Sequence, residues 1–346
     1  MKEHASQKKS MAPNNPLIHI LWEFTDKPWG GGNQFLKALR QQFIKQDNYA
    51  DTPEHADIIL FNSHQFQKQA LRLKLKYREK IFIHRVDGPL FHTRGEIGIG
   101  TDRKIFYCND LVADGTIFQS EWSRKESYRQ GMKKNRFETC IINAPDQDIF
   151  YPKATLTIGD SQLRKIRLVT TTWSSNPRKG FDILHYLDEH LDFSRYSMIF
   201  IGNYDRPFKN ITMIDPLPSG KLAEKLREQD IFIAASVGEP CSNSFLEALH
   251  CGLPAVARNN SSYPELLGKN GLLFDGKEDV IEMIDRLSEN IESYNKPCNI
   301  LRIDEIAHRY RIFSEQIHQK MMHKEYFPKK LSLPAYYLSR MLLKNL

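Results

Sequence analysis

The chain is poor in cysteine, and its five cysteines follow no pairing pattern. Cys108, Cys140, Cys241, Cys251 and Cys298 form no Cys-x-x-Cys unit and are scattered through apolar or loop-like stretches. That argues against a disulfide framework and a thiolate zinc site, and it fits a reducing cytoplasm. Long apolar runs are missing as well: none approaches the ~20 residues a helix needs to span a bilayer. Residues 1–16 lack an apolar signal core and read as a disordered polar leader. Phosphate-binding signatures are absent in their usual forms, since there is neither a G-x-G-x-x-G nor a P-loop. No nucleic-acid module or basic–aromatic alternation is present either, so no nucleic-acid partner is expected. Acids are nevertheless outnumbered, with a net charge of +7. Such a balance suits a phosphorylated ligand or an anionic surface.

What is present is a regular alternation of short apolar runs with amphipathic stretches, in a chain of 346 residues that is 40% apolar. That length accommodates two domains of ordinary size, and the alternation predicts parallel α/β domains with a cleft between them. Strands are expected at Leu17–Trp22, Ala56–Phe61, Ile81–Ile83 and Thr139–Ile142 in the first half. In the second half they fall at Ile166–Thr171, Ser197–Ile201, Ile231–Ala235 and Pro254–Ala257. The expected layout is a first domain over 17–150, a second over 151–302, and a C-terminal segment over 303–346. In that segment Ile306, Tyr310, Phe313 and Ile317 form one helical face.

The most informative stretch runs from Glu239 to Pro254. An apolar strand ends, a loop carries Glu239, Ser242 or Asn243 can cap a helix, Glu247 follows in its first turns, and Gly252 and Pro254 stop it. Both carboxylates then face the crevice at the C-terminal ends of parallel strands. Taken alone, Glu247 fits an acidic first helical turn equally well.

The whole string, Glu239, seven residues, Glu247 and then Ala248-Leu249-His250-Cys251-Gly252-Leu253-Pro254, resembles the E-x7-E signature of retaining GT-B glycosyltransferases. Other stretches agree with that resemblance. Asn143 to Pro152 matches the family's interdomain junction with one extra residue, Arg178-Lys179-Gly180 matches its basic pair before a glycine, and Pro264-Glu265 matches its Pro-Glu pair. Departures are also clear. Pro240-Cys241-Ser242 stands where the family often has Pro-Phe-Gly. Serines at 261 and 262 replace glycines, so the backbone there is expected to avoid positive φ.

The resemblance implies the GT-B fold, two Rossmann-like parallel α/β domains facing a central cleft, and a nucleotide-diphospho-sugar as co-substrate with no metal or other cofactor. It implies that Glu247 holds the ribose hydroxyls and that Glu239 binds the sugar and faces its cationic transition-state centre. Arg178 and Lys179 would meet the leaving diphosphate, where fixed cations stabilise developing negative charge. The departing phosphate oxygen would take the acceptor's proton on the same face. Gly202 and Asn203, Ser244 and Phe245, and Gly31 and Gly32 in the glycine-rich first loop complete the expected donor contacts. His84 and Asp87, after the third strand, are the first-domain candidates, with a plain Asp-Gly turn as the alternative.

One decoy is Asp146-Gln147-Asp148, a literal Asp-x-Asp in the junction; a three-residue match occurs readily by chance. Residues 324–346 hold five cations against Glu325 alone, interleaved with aromatics. That tail suits either an anionic membrane surface or packing on the first domain, with Pro328 and Pro334 opposing one continuous helix. The expected acceptor is a glycan or a lipid-linked one, in cell-surface polysaccharide or lipopolysaccharide synthesis at the cytoplasmic face of the membrane. A nucleotide-sugar epimerase or phosphorylase on the same fold, or a catalytically silent sugar- or membrane-binding subunit, are the alternatives.

Overall fold

The computed structural model describes residues 15–25, 31–152, 164–294 and 301–345. Residues 1–14 of the expected leader, the Lys27–Gly30 part of the first loop and Cys298 lie outside them. The first sheet holds β1 (Ile18–Leu21), β2 (Ile58–Asn62), β3 (Ile81–Val86), β4 (Gly115–Phe118) and β5 (Phe137–Cys140), all parallel and in that order. Runs such as Ile58-Ile59-Leu60-Phe61 are apolar on both faces because helices cover both sides. The first crossover, α1 (Gly31–Lys45), leads to an isolated parallel bridge from Tyr49 to Ile18, on the outer side of β1. The chain then returns past β1 to β2, so the direction of strand addition reverses there. The other connections carry α2 (Gln67–Lys76), α3 (Phe91–Arg94), α4 (Glu96–Val112) and α5 (Glu121–Arg129).

The second sheet is parallel as well, in the order β11-β10-β9-β6-β7-β8. Its strands are β6 (Ile166–Thr172), β7 (Tyr196–Gly202), β8 (Thr212–Ile214), β9 (Ile231–Ala234), β10 (Ala255–Arg258) and β11 (Gly271–Phe274). Its helices are α6 (Phe181–His190), α7 (Ser219–Arg227), α8 (Asn243–His250), α9 (Tyr263–Leu267), α10 (Val280–Glu289) and α11 (Ile291–Tyr294). One face packs α6 and α10 against the sheet, and the other packs α7, α8 and α9. Strand order reverses between β6 and β9. That is where open parallel sheets leave a crevice at their carboxyl ends.

The long α12 (Ile303–Met322) lies on the first sheet. Its Ile303, Ile306, Tyr310 and Ile317 share a core with Phe35, Leu39 and Phe43 of α1. The chain then turns past Asp114, which precedes β4, and ends in α13 (Leu333–Asn345). There Leu331, Tyr336 and Leu343 pack with α2 and α4 on the opposite sheet face. Pro334 is accommodated in the first turn of α13, where its missing N–H costs nothing.

Asp114 is the fixing point of this tail. It is fully buried and accepts hydrogen bonds from the Lys74 ammonium at 2.7 Å, the Phe82 amide at 2.8 Å, the Tyr326 hydroxyl at 2.7 Å and the Lys329 amide at 2.7 Å. Lys74 is itself fully buried, and burial lowers its pKa. Removing one partner of such a pair strands the other charge in the interior. Asp114→Ala is therefore expected to destabilise the protein by about 3–5 kcal/mol, read as a lower urea midpoint. A change within experimental scatter would show that the pair contributes nothing.

Candidate active site

The loops at the carboxyl ends of β6 and β9 are locked together. Asn176 caps a short 3₁₀ turn, Pro177–Lys179, by accepting from the Arg178 amide at 2.9 Å. The Val237 amide donates to the Arg178 carbonyl at 2.9 Å. Gly180, at φ +84°, lies against the backbone of Ala235 so closely that a Cβ would collide with it. This contact delivers the Lys179 ammonium to the Glu239 carboxylate, with which it forms an ion pair. Glu239 is positioned from the far side by the loop after β10. Its carbonyl accepts from the Ser262 amide at 3.2 Å, and the neighbouring Gly238 amide donates to Asn260 Oδ1 at 3.0 Å. The backbone there does not avoid positive φ as expected: Ser261 sits at φ +54°. The turn that hydrogen-bonds Glu239 demands that conformation, and serine adopts it in place of glycine.

Ser242 caps α8, and Glu247 follows within the first turns. Glu239 and Glu247, both 9% exposed, and Lys179 line one cleft of about 440 Å³ between the domains. Thr172 and Trp173 contribute from the β6 loop, Leu217 and Ser219 from the start of α7, and Gln34 and Lys37 from α1 across the gap. A side recess of about 190 Å³ shares Gln34, Lys37, Asn243 and Glu247. Among the described residues no cation is paired with Glu247, and burial pushes its pKa from 4.5 up to about 8.

Of the other expected residues, Gly202 and Ser244 line the cleft. Gly202 is at φ +153°, packed on the Thr172 carbonyl with no room for a Cβ. Several expectations need correction. His84 lies within β3, which runs on to Val86, and so does not follow the strand. It is fully buried, stacked on Phe61 at 4.2 Å, and its ring nitrogens meet Asn109 at 3.1 Å and the Ser63 carbonyl at 3.0 Å. Burial lowers its pKa to about 4, so it is a neutral core group. Asp87 is half-buried and engaged by Arg85 at 3.1 Å and by Gln119. Phe245 is buried between Phe232 and Tyr263, because it falls on the core side of α8. Asn203 is exposed and donates to the Trp173 carbonyl at 2.8 Å. Gly31 and Gly32 open α1, and that helix reaches the cleft one turn later, through Gln34 and Lys37.

Arg178 departs furthest from expectation. Its guanidinium leaves the cleft and donates to the His92 carbonyl in the first domain at 2.7 Å. Asn176 beside it donates to the Thr93 carbonyl at 2.7 Å. Three further contacts close the domains. The Glu265 carboxylate accepts from the Glu121 and Trp122 amides at 3.0 and 3.1 Å, at the start of α5. Asn143 donates to Asn243 at 3.0 Å. Gly238 abuts His92 so closely that a Cβ would fall 2.6 Å from its carbonyl oxygen. In the decoy, Asp146 accepts from the Asp148 amide at 2.9 Å, and Asp148 pairs with Lys45 at 3.5 Å. Among the described residues no group of three or more His, Cys, Asp or Glu is placed to hold a metal ion.

Residues 192–292, which include β9, the Glu239 loop and α8, match the family described as "Glycosyl transferases group 1". This part of the second domain is thus similar to group 1 glycosyltransferases. Structures of glycosyltransferases share the whole fold. HepE of Anabaena in complex with UDP-glucose superposes with a TM-score of 0.64 at 15% identity, covering 89% of this chain and 98% of that one. The catalytic domain of starch synthase IV from Arabidopsis thaliana, bound to ADP and acarbose, gives 0.67 at 10% identity, covering 88% and 99%. Sucrose-phosphate synthase from Thermosynechococcus elongatus gives 0.62 at 13%, covering 89% and 98%. The architecture is thus GT-B. Uncharacterized protein 356 of Sulfolobus islandicus rod-shaped virus 1 is 25% identical over 190 residues, 50% of this chain and 53% of that protein. The chain therefore spans about half the length of that relative.

The buried Glu247 makes stability depend on pH. An acid whose folded pKa is raised binds more protons folded than unfolded between its two pKa values. Its stabilising contribution is present below about pH 4.5 and is lost as pH rises through about 8. Glu247→Gln removes this dependence. The melting temperature of the variant, relative to the unsubstituted protein, is expected to rise steadily across that interval. Parallel pH profiles by thermal shift would refute the assignment.

Proposed function

We propose that the protein transfers a sugar from a nucleotide-diphospho-sugar to a glycan or lipid-linked acceptor, with retention of anomeric configuration. The observation that carries this reading is the convergence of Lys179, Glu239 and Glu247 on one interdomain cleft at the strand-order reversal of the second sheet. Glu247, a buried carboxylate lining the cleft, is suited to accept paired hydroxyl donors such as those of a ribose. Glu239 sits where a carboxylate can bind sugar hydroxyls and face a cationic anomeric centre. Lys179 supplies the fixed positive charge for the leaving diphosphate. The first turns of α7 and α8, through Ser219 and Ser244, add helix N-termini that favour an anion.

In the transfer, the bond from the anomeric carbon to the phosphate oxygen breaks and the bond from the acceptor oxygen to that carbon forms on the same face. The acceptor's proton passes to the departing phosphate oxygen, so no protein nucleophile is required and no metal is invoked. Arg178 is assigned to holding the domains closed, because its guanidinium is spent on the His92 carbonyl. Action on cell-surface glycan at the cytoplasmic face belongs to the same proposal.

Lys179→Ala is expected to lower kcat by about 10²-fold or more, the usual loss when a group meeting developing charge is removed. Arg178→Ala is expected to act chiefly on KM, with kcat changed by less than about tenfold. The reverse pattern would return Arg178 to the chemistry. The substrate is found by thermal shift with UDP-, GDP-, ADP- and CMP-sugars, since a bound donor raises apparent stability. Conversion of the donor with no acceptor present would identify an epimerase instead, and a need for inorganic phosphate would identify a phosphorylase. Hydroxyl donors on Glu247 favour its charged form, so donor binding at neutral pH is expected to release a proton. Titration calorimetry in two buffers of different ionisation enthalpy reads it directly; identical heats would sink the ribose role.

A further inference from the structure

Among the described residues eleven large apolar side chains stand exposed, and six of them lie between Met322 and Met341. Scattered singly, such residues need no explanation; gathered on one segment they mark a contact surface. The segment is firmly held. Asp114 fixes Tyr326 and the Lys329 amide, the Lys329 ammonium donates to the Asp110 carbonyl at 2.8 Å, and Tyr107 meets Ser339 at 3.0 Å. Positions 336, 339 and 343 of α13 therefore face the domain, with Tyr336 and Leu343 buried against it.

The opposite face of a helix so placed is normally polar. Here it carries Tyr337 at 60% exposure, Leu338 at 54% and Met341 at 62%, preceded by Leu333 at 52% and Phe327 at 69%. Lys324 and Lys330 are exposed and Arg340 is half-buried beside them. The only acid from 324 to 345 is Glu325, which is already paired with Lys320 at 3.0 Å.

We propose that this outward face of the Phe327–Met341 segment docks on a bilayer rich in anionic phospholipid. The apolar side chains enter at headgroup depth, and Lys324, Lys330 and Arg340 meet lipid phosphates. Charge decides between this and the other apolar occupant, a second copy of the chain. In an isologous pair the same cations would face one another with no acid to answer them. An anionic surface answers all of them. The attachment leaves the transmembrane question untouched: no described helix is long and apolar enough to cross a membrane. It is also independent of the catalytic reading, since neither the cleft nor its carboxylates take part.

The test is flotation of the full chain with vesicles of phosphatidylcholine alone and of phosphatidylcholine mixed with phosphatidylglycerol. The unsubstituted protein is expected to float with the mixed vesicles only, and to be released by high salt. Lys330→Glu with Arg340→Glu is expected to weaken binding roughly twenty-fold or more, at about 1 kcal/mol per cation near the surface. Tyr337→Ser, Leu338→Ser and Met341→Ser together alter only solvent-facing positions and leave the circular dichroism unchanged. That variant is expected to lose at least about tenfold in vesicle affinity through its lost apolar insertion. No flotation of the unsubstituted chain, or equal flotation of the three proteins, overturns the proposal. So does a triple variant that only converts a dimer to a monomer in light scattering, which would give the face to self-association.

Discussion

The site depends on the close packing of two loops at the place where strand order reverses in the second sheet. Gly180 lies directly on the backbone of Ala235, with no room for a side chain between them. The consequence is electrostatic: a lysine from the β6 loop and a glutamate from the β9 loop meet in a partly desolvated ion pair. In water such a pair is worth little, while in a crevice walled by two domains it is stronger and held in one geometry. Among the described residues no cation is paired with Glu247, a few residues further along. One carboxylate of the cleft is thus held in an ion pair and the other is not.

Domain closure rests on contacts of a different kind. Arg178, Asn176 and Glu265 of the second domain engage backbone groups of the first, at His92, Thr93 and the start of α5. Backbone partners depend on the course of the chain and not on which residues line it. Such contacts hold two domains in register while leaving the cleft-lining side chains available. The long α12, which belongs by sequence to the end of the chain and by packing to the first core, ties the two halves together from behind.

Much of the architecture was legible in order along the chain. Short apolar runs of β-branched and aromatic residues read as buried parallel strands, since both faces of each sheet are covered. Helices were legible where the apolar stripe was clean, as at Phe35, Leu36, Leu39 and Phe43. They were missed at 67–76 and 96–112, where lysines and glycines interrupt the stripe. Lys74 is the instructive case: its ammonium is fully buried, because Asp114, forty residues on, supplies its counter-charge.

By itself the sequence determined the fold class, parallel α/β with two sheets, and the place of most strands. These follow from local periodicity, from turn residues and from a helix cap, all set within a few residues of one another. Only the tertiary structure decided which polar residues reach the cleft. His84 stayed in the core because β3 runs three residues further than its apolar run suggests. Arg178 went to the neighbouring domain and Lys179 to Glu239, although they are adjacent in the chain. Consecutive side chains leave a tight turn in different directions, and their partners lie on segments far off in sequence. Gln34 and Lys37 entered the cleft for the same reason, from the polar side of a helix that only domain packing brings to face it.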